Sequence, residues 1–403
     1  MDDTAFPNPT EDLSLDTALV RGGLRRSEFG ETSEAIFLTS GFVYGSAAAA
    51  EARFDGTDPG FVYSRYANPT LDVLEKRLAL IEGAEKCHAT ASGMAAVFTG
   101  LFCWLRAGDH VVASRALFGS CHVILTTILP RYGIEATLVD GADLDAWAAA
   151  MRPNTRAVFL ETPANPTLDL VDVAAVAKIA HEAGAKVFVD NVFASPLGQR
   201  PLELGADVVM YSATKHIDGQ GRCLGGAVLA DAEFCNDHFM PYYRHTGPAL
   251  SPFNAWVLLK GLETLSIRVE RQAESALKLA RCIEAHPAAR AVRHPFLPSH
   301  PQHELAKRQM KSGGTLVAFD LGSKSAAFAF LDALRIVDIS NNLGDTRSLA
   351  THPMTTTHRA MAESDRAAMG ITDGLVRLSV GLEGIDDLTR DLSRALDAAA
   401  RAR

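Results

Sequence analysis

Hydrophobic and polar positions along the chain first predict a helix and then an alternating series of strands and helices. In residues 70–85, apolar residues share one helical face and charged residues lie opposite, a spacing that predicts a helix packed on a core. The apolar face consists of Leu71, Leu74, Leu78 and Ile81. From about residue 85 to about residue 230, β-type apolar runs alternate with helical patterns. These runs are His110–Ala113, Ala157–Leu160, Lys186–Asp190 and Asp207–Tyr211. Short apolar strands alternating with helices predict an α/β fold with a mostly parallel sheet covered on both faces.

The pattern changes on either side of this region and divides the chain into three parts. Residues 1–62 are expected to form an arm, because the start is acidic and contains Pro7 and Pro9. Residues 63–255 are the predicted α/β domain, and residues 256–403 a smaller α+β domain. The patterns behind the last prediction are a helical stretch at Phe253–His286, β-type runs at Gly314–Asp320 and Gly374–Gly381, and a terminal helix.

Composition and charge argue against several classes of function. The 403 residues are 47% hydrophobic and 22% charged, which is ordinary for a globular protein with a sizeable core. A net charge of −9 without a long Lys/Arg run argues against nucleic acid or an anionic membrane as partner. No stretch approaches the apolar length of a membrane span, and the first residues lack a signal-peptide pattern. Six cysteines without a C-x-x-C pair, and no zinc-type cluster, indicate reduced thiols in a cytoplasmic protein without a metal.

Candidate chemistry is concentrated after two successive strand patterns. Asp190 ends one apolar run, and Ser212, Thr214 and Lys215 follow the next. Because ligands of parallel sheets bind at the carboxyl ends of strands, these side chains are expected at one edge of the sheet. An amine, a carboxylate and hydroxyls are the groups that pyridoxal 5'-phosphate (PLP) requires at its aldehyde, its pyridine nitrogen and its phosphate. Taken alone, S-x-T-K is also a common pattern for a surface lysine after a strand.

Two further segments contain candidate phosphate-binding groups. The Ser-Gly turn in HATASGMAAV opens a helical pattern, so the backbone N–H groups of Gly93 and Met94 could donate to an anion. The segment YSRYANPT carries Tyr63 and Arg65, and an arginine can bind phosphate oxygens bidentately. Taken alone, a plain helix start and a solvated loop would explain these two segments.

Arg377 and two asparagines are candidates for binding a substrate. In GLVRLSVGLE the pattern alternates, so Arg377 points away from the side of Val376 and Leu378. It could clamp a carboxylate, or it could lie on the exposed face of an amphipathic strand. Asn341 and Asn342 belong to the polar segment ISNNLGDT, which turn chemistry alone would explain.

Together these segments resemble the Cys/Met-metabolism family of PLP-dependent enzymes. The resemblance runs from about Thr17 to about Leu396, and the motifs occur in the order of the family. The motifs are YSRYANPT, ATASGMAAV, ETPANPT, VFVDN, YSATKHIDGQGR, SPFNAW, SNNLGDTRSL and GLVRLSVGLE. The resemblance implies an aspartate-aminotransferase-like α/β fold (fold type I), PLP as cofactor, and a homotetramer built as a dimer of dimers. The active sites would lie at the dimer interface, and the arm of residues 1–62 would reach the neighbouring subunit.

The resemblance also implies roles for individual residues. Lys215 would carry the cofactor as a Schiff base and act in catalysis with Tyr63. Tyr63 and Arg65 would contact the phosphate held by the neighbouring subunit, and Asn165 would lie beside the cofactor. The implied cofactor-binding residues are Tyr63, Arg65, Gly93, Met94, Phe118, Asn165, Asp190, Ser212, Thr214 and Lys215. The implied substrate-binding residues are Asn342 and Arg377.

Two departures from the family pattern narrow the expected reaction. Phe118 stands where many members have a tyrosine that stacks on the cofactor. Phenylalanine lacks the tyrosine hydroxyl, so the proton transfer assigned to that hydroxyl would pass to Lys215, Tyr63 or water. Asn341 and Asn342 stand where a cystathionine γ-lyase has a Glu-Ser pair, which argues against that lyase reaction. Both departures, together with the segments SPFNAW and LPSHPQHELAKRQ, resemble the branch of the family that makes homocysteine from a succinyl ester of homoserine and sulfide. An acetyl ester, cysteine as the thiol, a γ-lyase reaction and a non-catalytic relative remain alternatives.

Overall fold

The computed structural model describes residues 13–402, so the prolines and acidic residues that begin the predicted arm lie outside the described residues. The helices are α1 Leu15–Arg21, α2 Ala47–Asp55, α3 Pro69–Glu82, α4 Gly93–Phe102, α5 Gly119–Val123, α6 Leu129–Arg131, α7 Leu144–Ala150, α8 Val173–Glu182, α9 Ser195–Gly198, α10 Met240–Thr246, α11 Pro252–Leu262, α12 Leu265–Glu284, α13 His303–Gln309, α14 Lys324–Ala333, α15 Glu363–Ala368 and α16 Ile385–Arg401. Short π-helical segments occur at Ile124–Ile128 and Phe234–Phe239, and 3-10 turns at Pro201–Leu204 and Pro353–Thr355. The strands are β1 Lys86–Thr90, β2 His110–Ser114, β3 Glu135–Val139, β4 Thr155–Glu161, β5 Lys186–Asp190, β6 Val208–Tyr211, β7 Gly226–Ala230, β8 Ala291–Arg293, β9 Leu316–Asp320, β10 Asp338–Ile339, β11 Leu349–Thr351 and β12 Leu375–Ser379.

The larger sheet has the strand order β1-β7-β6-β5-β4-β2-β3. Strand β2 runs parallel to β3 and β4, and β4 runs parallel to β5, whereas β1 and β7 pair antiparallel. Every residue of β2, β6 and β7 is buried, as expected for strands covered on both faces. The prediction of an α/β fold with a mostly parallel sheet is therefore confirmed.

The smaller sheet has the order β10-β11-β12-β9-β8 and is mostly antiparallel. Apolar side chains of this sheet, among them Val317, Phe319 and Leu378, share one core cluster with residues of α12, α14 and α16. The predicted helical stretch Phe253–His286 is wrong as a single element, since it consists of α11 and α12. Between them the Thr264 hydroxyl donates to the Gly261 carbonyl at 3.4 Å, a local bond that competes with continuation of the helix.

Helix α3 shows how local sequence sets an element that the pattern predicts. The Asn68 side chain caps its start by accepting from the Thr70 N–H at 2.8 Å, and Gly83 ends it with a φ of 79°. The four residues of the predicted apolar face are all buried, which confirms their role in the core. Within residues 13–402, no helix has the length and apolarity needed to cross a membrane.

The chain divides into two compact units, and each is described by itself. The first comprises the described part of Met1–Trp104 with Met210–Thr214 and Arg222–Thr264, and the second comprises Leu105–Val209, Lys215–Gly221 and the described part of Leu265–Arg403. The domain boundaries after residues 62 and 255 stay predictions.

Candidate functional site

Lys215 provides a half-buried amine in the second unit. It follows strand β6 by four residues, and its Nζ donates to Asn342 Oδ1 at 2.5 Å. Burial lowers the pKa of this amine to about 8, and the positive charge of Arg377 acts in the same direction. An ordinary lysine has a pKa of about 10.4, so Lys215 has a far larger neutral fraction near neutral pH. The neutral amine is the nucleophilic form that reacts with a carbonyl group.

Arg377 lies beside the same asparagine and is only 1% exposed. Its Nη1 donates to Asn165 Oδ1 at 2.9 Å, and its Nη2 donates to the carbonyls of Asn341 and Asn342 at 2.8 and 3.2 Å. All five residues of strand β12 are buried. The alternative that placed Arg377 on the exposed face of an amphipathic strand is therefore wrong. Burial lowers the pKa of the guanidinium to about 10, which leaves it charged at neutral pH.

The Nε of Arg377 is buried and has no hydrogen-bond partner among residues 13–402. A buried donor without a partner costs free energy unless a ligand or water satisfies it. A carboxylate is the ligand that a guanidinium binds with the best geometry. The donor set of this arginine therefore fits a substrate carboxylate.

Asp190 is a second buried group of this unit, at the end of strand β5. Its Oδ1 accepts from the Val192 N–H at 3.1 Å, and burial raises the pKa of the carboxyl to about 6. A protonated nitrogen placed beside such a carboxyl would stabilise its ionised form. The pyridine nitrogen predicted to face Asp190 is a group of this kind.

Glu161 is a buried carboxyl that the sequence reasoning missed. In the pairing of β4 with β5 it lies opposite Asp190. Its Oε2 accepts from the Phe118 N–H at 2.7 Å, and its Oε1 accepts from the Asn165 N–H at 2.9 Å. Burial and the charge of Asp190 raise its pKa well above the usual range of a glutamate. The available signal was its place as the first residue of ETPANPT, directly at the end of an apolar run.

A candidate phosphate site lies in the first unit at the start of helix α4. The Ser92 hydroxyl caps this helix by accepting from the Ala95 N–H at 3.1 Å. Within the described residues, no hydrogen bond occupies the N–H groups of Gly93 and Met94 or the hydroxyl of Ser212. A Cβ added at Gly93 would lie 2.5 Å from the Ser212 Cβ, so only glycine allows this approach. Free helix N–H groups beside a free hydroxyl fit a phosphate.

Thr214, Tyr63 and Arg65 lie in the first unit with other partners. The Thr214 hydroxyl donates to the Gly225 carbonyl at 3.3 Å and accepts from its N–H at 3.1 Å. Tyr63 is 42% exposed, and the guanidinium of Arg65 lies 5.5 Å from the centre of its ring. The hydrogen bonds among residues 13–402 do not connect Tyr63 or Arg65 to the group at the start of α4.

The structure therefore forms two groups of predicted site residues. In the second unit, hydrogen bonds link Lys215 to Asn342, and Arg377 to both Asn342 and Asn165. In the first unit, Gly93 and Ser212 are in contact. These groups and the mostly parallel sheet are the features expected of a PLP-dependent enzyme of fold type I: a lysine after a buried strand, a buried carboxyl, and unpartnered helix N–H groups that fit a phosphate.

The chain belongs to the family described as Cys/Met metabolism PLP-dependent enzyme, whose model matches residues 16–397. It is 59% identical to an O-succinylhomoserine sulfhydrylase of Mycobacterium tuberculosis over 95% of this chain and 96% of that protein. It is 50% identical to an O-succinylhomoserine sulfhydrylase of Pseudomonas aeruginosa over 96% of each chain. A solved Campylobacter jejuni structure that contains N'-pyridoxyl-lysine-5'-monophosphate matches with a TM-score of 0.92 and 32% identity, over 96% of this chain and 100% of that chain.

Proposed function

We propose that the protein catalyses γ-replacement, in which O-succinyl-L-homoserine and sulfide give L-homocysteine and succinate, a step of methionine biosynthesis. The observation that carries the proposal is the identity of 59% and 50% with two sulfhydrylases of that ester, over nearly the whole chain. The site supports it, because a low-pKa amine and a buried guanidinium both donate hydrogen bonds to Asn342. These are the groups that an α-amino acid requires for proton transfer and for binding its carboxylate.

Five groups of this chain would hold the cofactor. The Nζ of Lys215 would bind its aldehyde carbon, and the Asp190 carboxylate would keep its pyridine nitrogen protonated. The N–H groups of Gly93 and Met94 and the hydroxyl of Ser212 would bind its phosphate, since none of these donors has a partner within the described residues. The bound cofactor supplies an aromatic ring that takes up the electrons of the substrate's Cα–H bond.

The ring-side and phosphate-side residues complete this assignment. Phe118, which is half-buried and directly precedes helix α5, would stack on the cofactor ring. Asn165 would stand beside the cofactor and hold Arg377. Thr214 keeps its bonds to Gly225, so it would support the phosphate site by fixing the chain just before Lys215.

The chain's own residues then bind the substrate and move its protons. Arg377 binds the α-carboxylate, and this fixes the direction of the Cα–H bond. The Nζ of Lys215 removes the proton from Cα and returns it later, since a pKa of about 8 lets it do both near neutral pH. Asn342 orients this amine through its side-chain oxygen. Because Phe118 has no hydroxyl, proton transfer on the leaving-group side is carried out by Lys215, Tyr63 or water.

We also propose that the protein acts as a cytoplasmic homotetramer, with an arm of residues 1–62 and with Tyr63 and Arg65 binding the phosphate of a neighbouring subunit. This is supported by the exposure of Tyr63 and by apolar side chains that the first unit leaves in solvent. Those side chains are Phe29 at 86%, Leu38 at 69%, Val43 at 100% and Phe54 at 69% exposure. A second copy that covers them would remove a large apolar surface from water. All six cysteines are free thiols, as expected in the cytoplasm.

The test is a matrix of two esters and two thiols. The holoenzyme is supplied with O-succinyl- or O-acetyl-L-homoserine and with sulfide or L-cysteine, and homocysteine and cystathionine are quantified. We expect the highest kcat/KM for the succinyl ester with sulfide. A higher value with cysteine or with the acetyl ester would replace the proposed reaction by a cystathionine synthase or an acetyl-ester sulfhydrylase.

Lys215→Ala is the matched variant for this assay. It should abolish turnover and the visible absorbance of the bound cofactor, because it removes the amine proposed to bind the aldehyde carbon and to move the Cα proton. A Lys215→Ala enzyme that keeps wild-type turnover would show that this residue is not the catalytic amine.

A further inference from the structure

Glu161 holds two separate loops of the second unit with one carboxyl group. It ends strand β4 and is only 3% exposed. One oxygen accepts from the Phe118 N–H at 2.7 Å, and the other accepts from the Asn165 N–H at 2.9 Å. Phe118 lies 43 residues before Glu161 in the sequence, so the carboxyl group fixes backbone that strand pairing alone does not hold.

Each of these loops presents a side chain to the proposed site. Phe118 carries the ring proposed to stack on the cofactor. Asn165 Oδ1 accepts from Arg377 Nη1 at 2.9 Å, which holds the guanidinium proposed to bind the substrate carboxylate. Outer groups of this kind set the orientation of the residues that touch the ligand.

Burial makes this position costly for a carboxyl group, yet its two N–H neighbours require an acceptor there. It is buried opposite Asp190, and both circumstances raise its pKa, while the two N–H donors and Arg377 act against that rise. A buried acid beside a like charge is costly, and an apolar residue of similar size would avoid the cost. An apolar residue would, however, leave the N–H groups of Phe118 and Asn165 without acceptors.

We propose that Glu161 is a positioning residue, whose carboxyl group aligns the stacking ring of Phe118 and, through Asn165, the carboxylate-binding guanidinium of Arg377. The substrate part of this inference rests on the proposed function, whereas the positioning of the two loops does not. Glu161 itself contacts neither the substrate nor the cofactor in this role.

The variant that tests it is Glu161→Gln, measured as holoenzyme. The amide keeps the size of the side chain, but its NH2 faces one of the two N–H donors and that hydrogen bond is lost. We expect kcat/KM per bound cofactor to fall about tenfold or more, with a rise in KM as the larger part. The matched control is Glu135→Gln, which changes a carboxylate with 72% side-chain exposure on β3, and we expect about the wild-type kcat/KM.

A double-mutant cycle separates positioning from a general structural role. If Glu161 acts through Asn165, then Asn165→Ala combined with Glu161→Gln should raise KM no more than the stronger single variant does. Additive effects on KM, or a Glu161→Gln enzyme with kcat/KM within about twofold of wild type, would overturn the proposal.

A measurement on the wild-type protein as purified covers the case in which the variants do not fold. Hydrogen exchange is followed at the backbone amides of Phe118 and Asn165, which the proposal expects to be protected by the carboxyl group. If both amides exchange as fast as those of an unprotected loop, the inference is refuted. If instead both amides are protected but no homoserine ester is converted, the proposed function fails and the positioning of the loops stands.

Discussion

Placing a negative charge beside the Lys215 amine should raise its pKa and slow its reactions as a nucleophile. Asn342→Asp keeps the shape of the side chain and replaces the oxygen at 2.5 Å from Nζ by a carboxylate. At a pKa of about 8, roughly a tenth of the amine is neutral at pH 7. An opposite charge at this distance raises a pKa by about 1 to 3 units, so the neutral fraction should fall about tenfold or more.

The assay is competitive labelling of the protein without cofactor by a trace of acetic anhydride, as a function of pH. Peptide mass spectrometry reports the extent of acetylation at Lys215 relative to Lys311, an exposed lysine that serves as the internal reference. In the wild-type protein the labelling of Lys215 should rise through a midpoint of about 8. In Asn342→Asp the midpoint should lie higher by at least about one pH unit.

Two results would refute this reasoning. A wild-type midpoint at the ordinary value of about 10.4 would mean that burial and Arg377 do not favour the neutral amine. An unchanged midpoint in Asn342→Asp would mean that the side chain at position 342 does not stand beside the amine. Asn341→Asp is the control, because Asn341 is exposed and contributes its backbone carbonyl to Arg377.

Two further predictions concern binding. Arg377→Ala removes a buried donor set with a free Nε, so KM for the homoserine ester should rise about 10- to 100-fold, and an unchanged KM would exclude a carboxylate at this arginine. Gly93→Ala places a methyl group 2.5 Å from the Ser212 Cβ, so the cofactor dissociation constant from absorbance titration should increase while circular dichroism stays that of wild type. If this variant binds the cofactor as tightly as wild type, the start of α4 is not the phosphate site.

Much of the fold follows from short-range patterns in the sequence. Strand β5 was predicted residue for residue, because a continuous apolar run ends at an acidic residue. Strand β1 was missed, since Lys86–Thr90 is mostly polar and gains its strand form from the antiparallel pairing with β7. The break between α11 and α12 was also missed, because a hydroxyl bond to a nearby carbonyl leaves the hydrophobic pattern intact.

The candidate site was predictable by residue type but not by partner. The motif order pointed to Lys215, Asp190 and Arg377, yet alternation in GLVRLSVGLE allowed an exposed arginine. Its burial depends on residues from outside β12 that cover its face of the sheet, such as Phe193, whose ring lies 6.0 Å from the guanidinium, and the sequence of β12 does not encode these. Glu161 was not predicted as a site residue for a similar reason, since its two N–H partners come from loops that only the fold brings to it.

Asn342 meets its two charged neighbours through different parts of the residue. The amine of Lys215 is bound by the side chain, whereas the guanidinium of Arg377 is bound by the main-chain carbonyl. Any amino acid other than asparagine at this position would still offer that carbonyl, but would give the amine different surroundings. A substitution at this single codon would therefore change the reactivity of the Lys215 amine in descendants of such a protein. The main-chain contact that holds Arg377, which is proposed to bind the α-carboxylate, would remain.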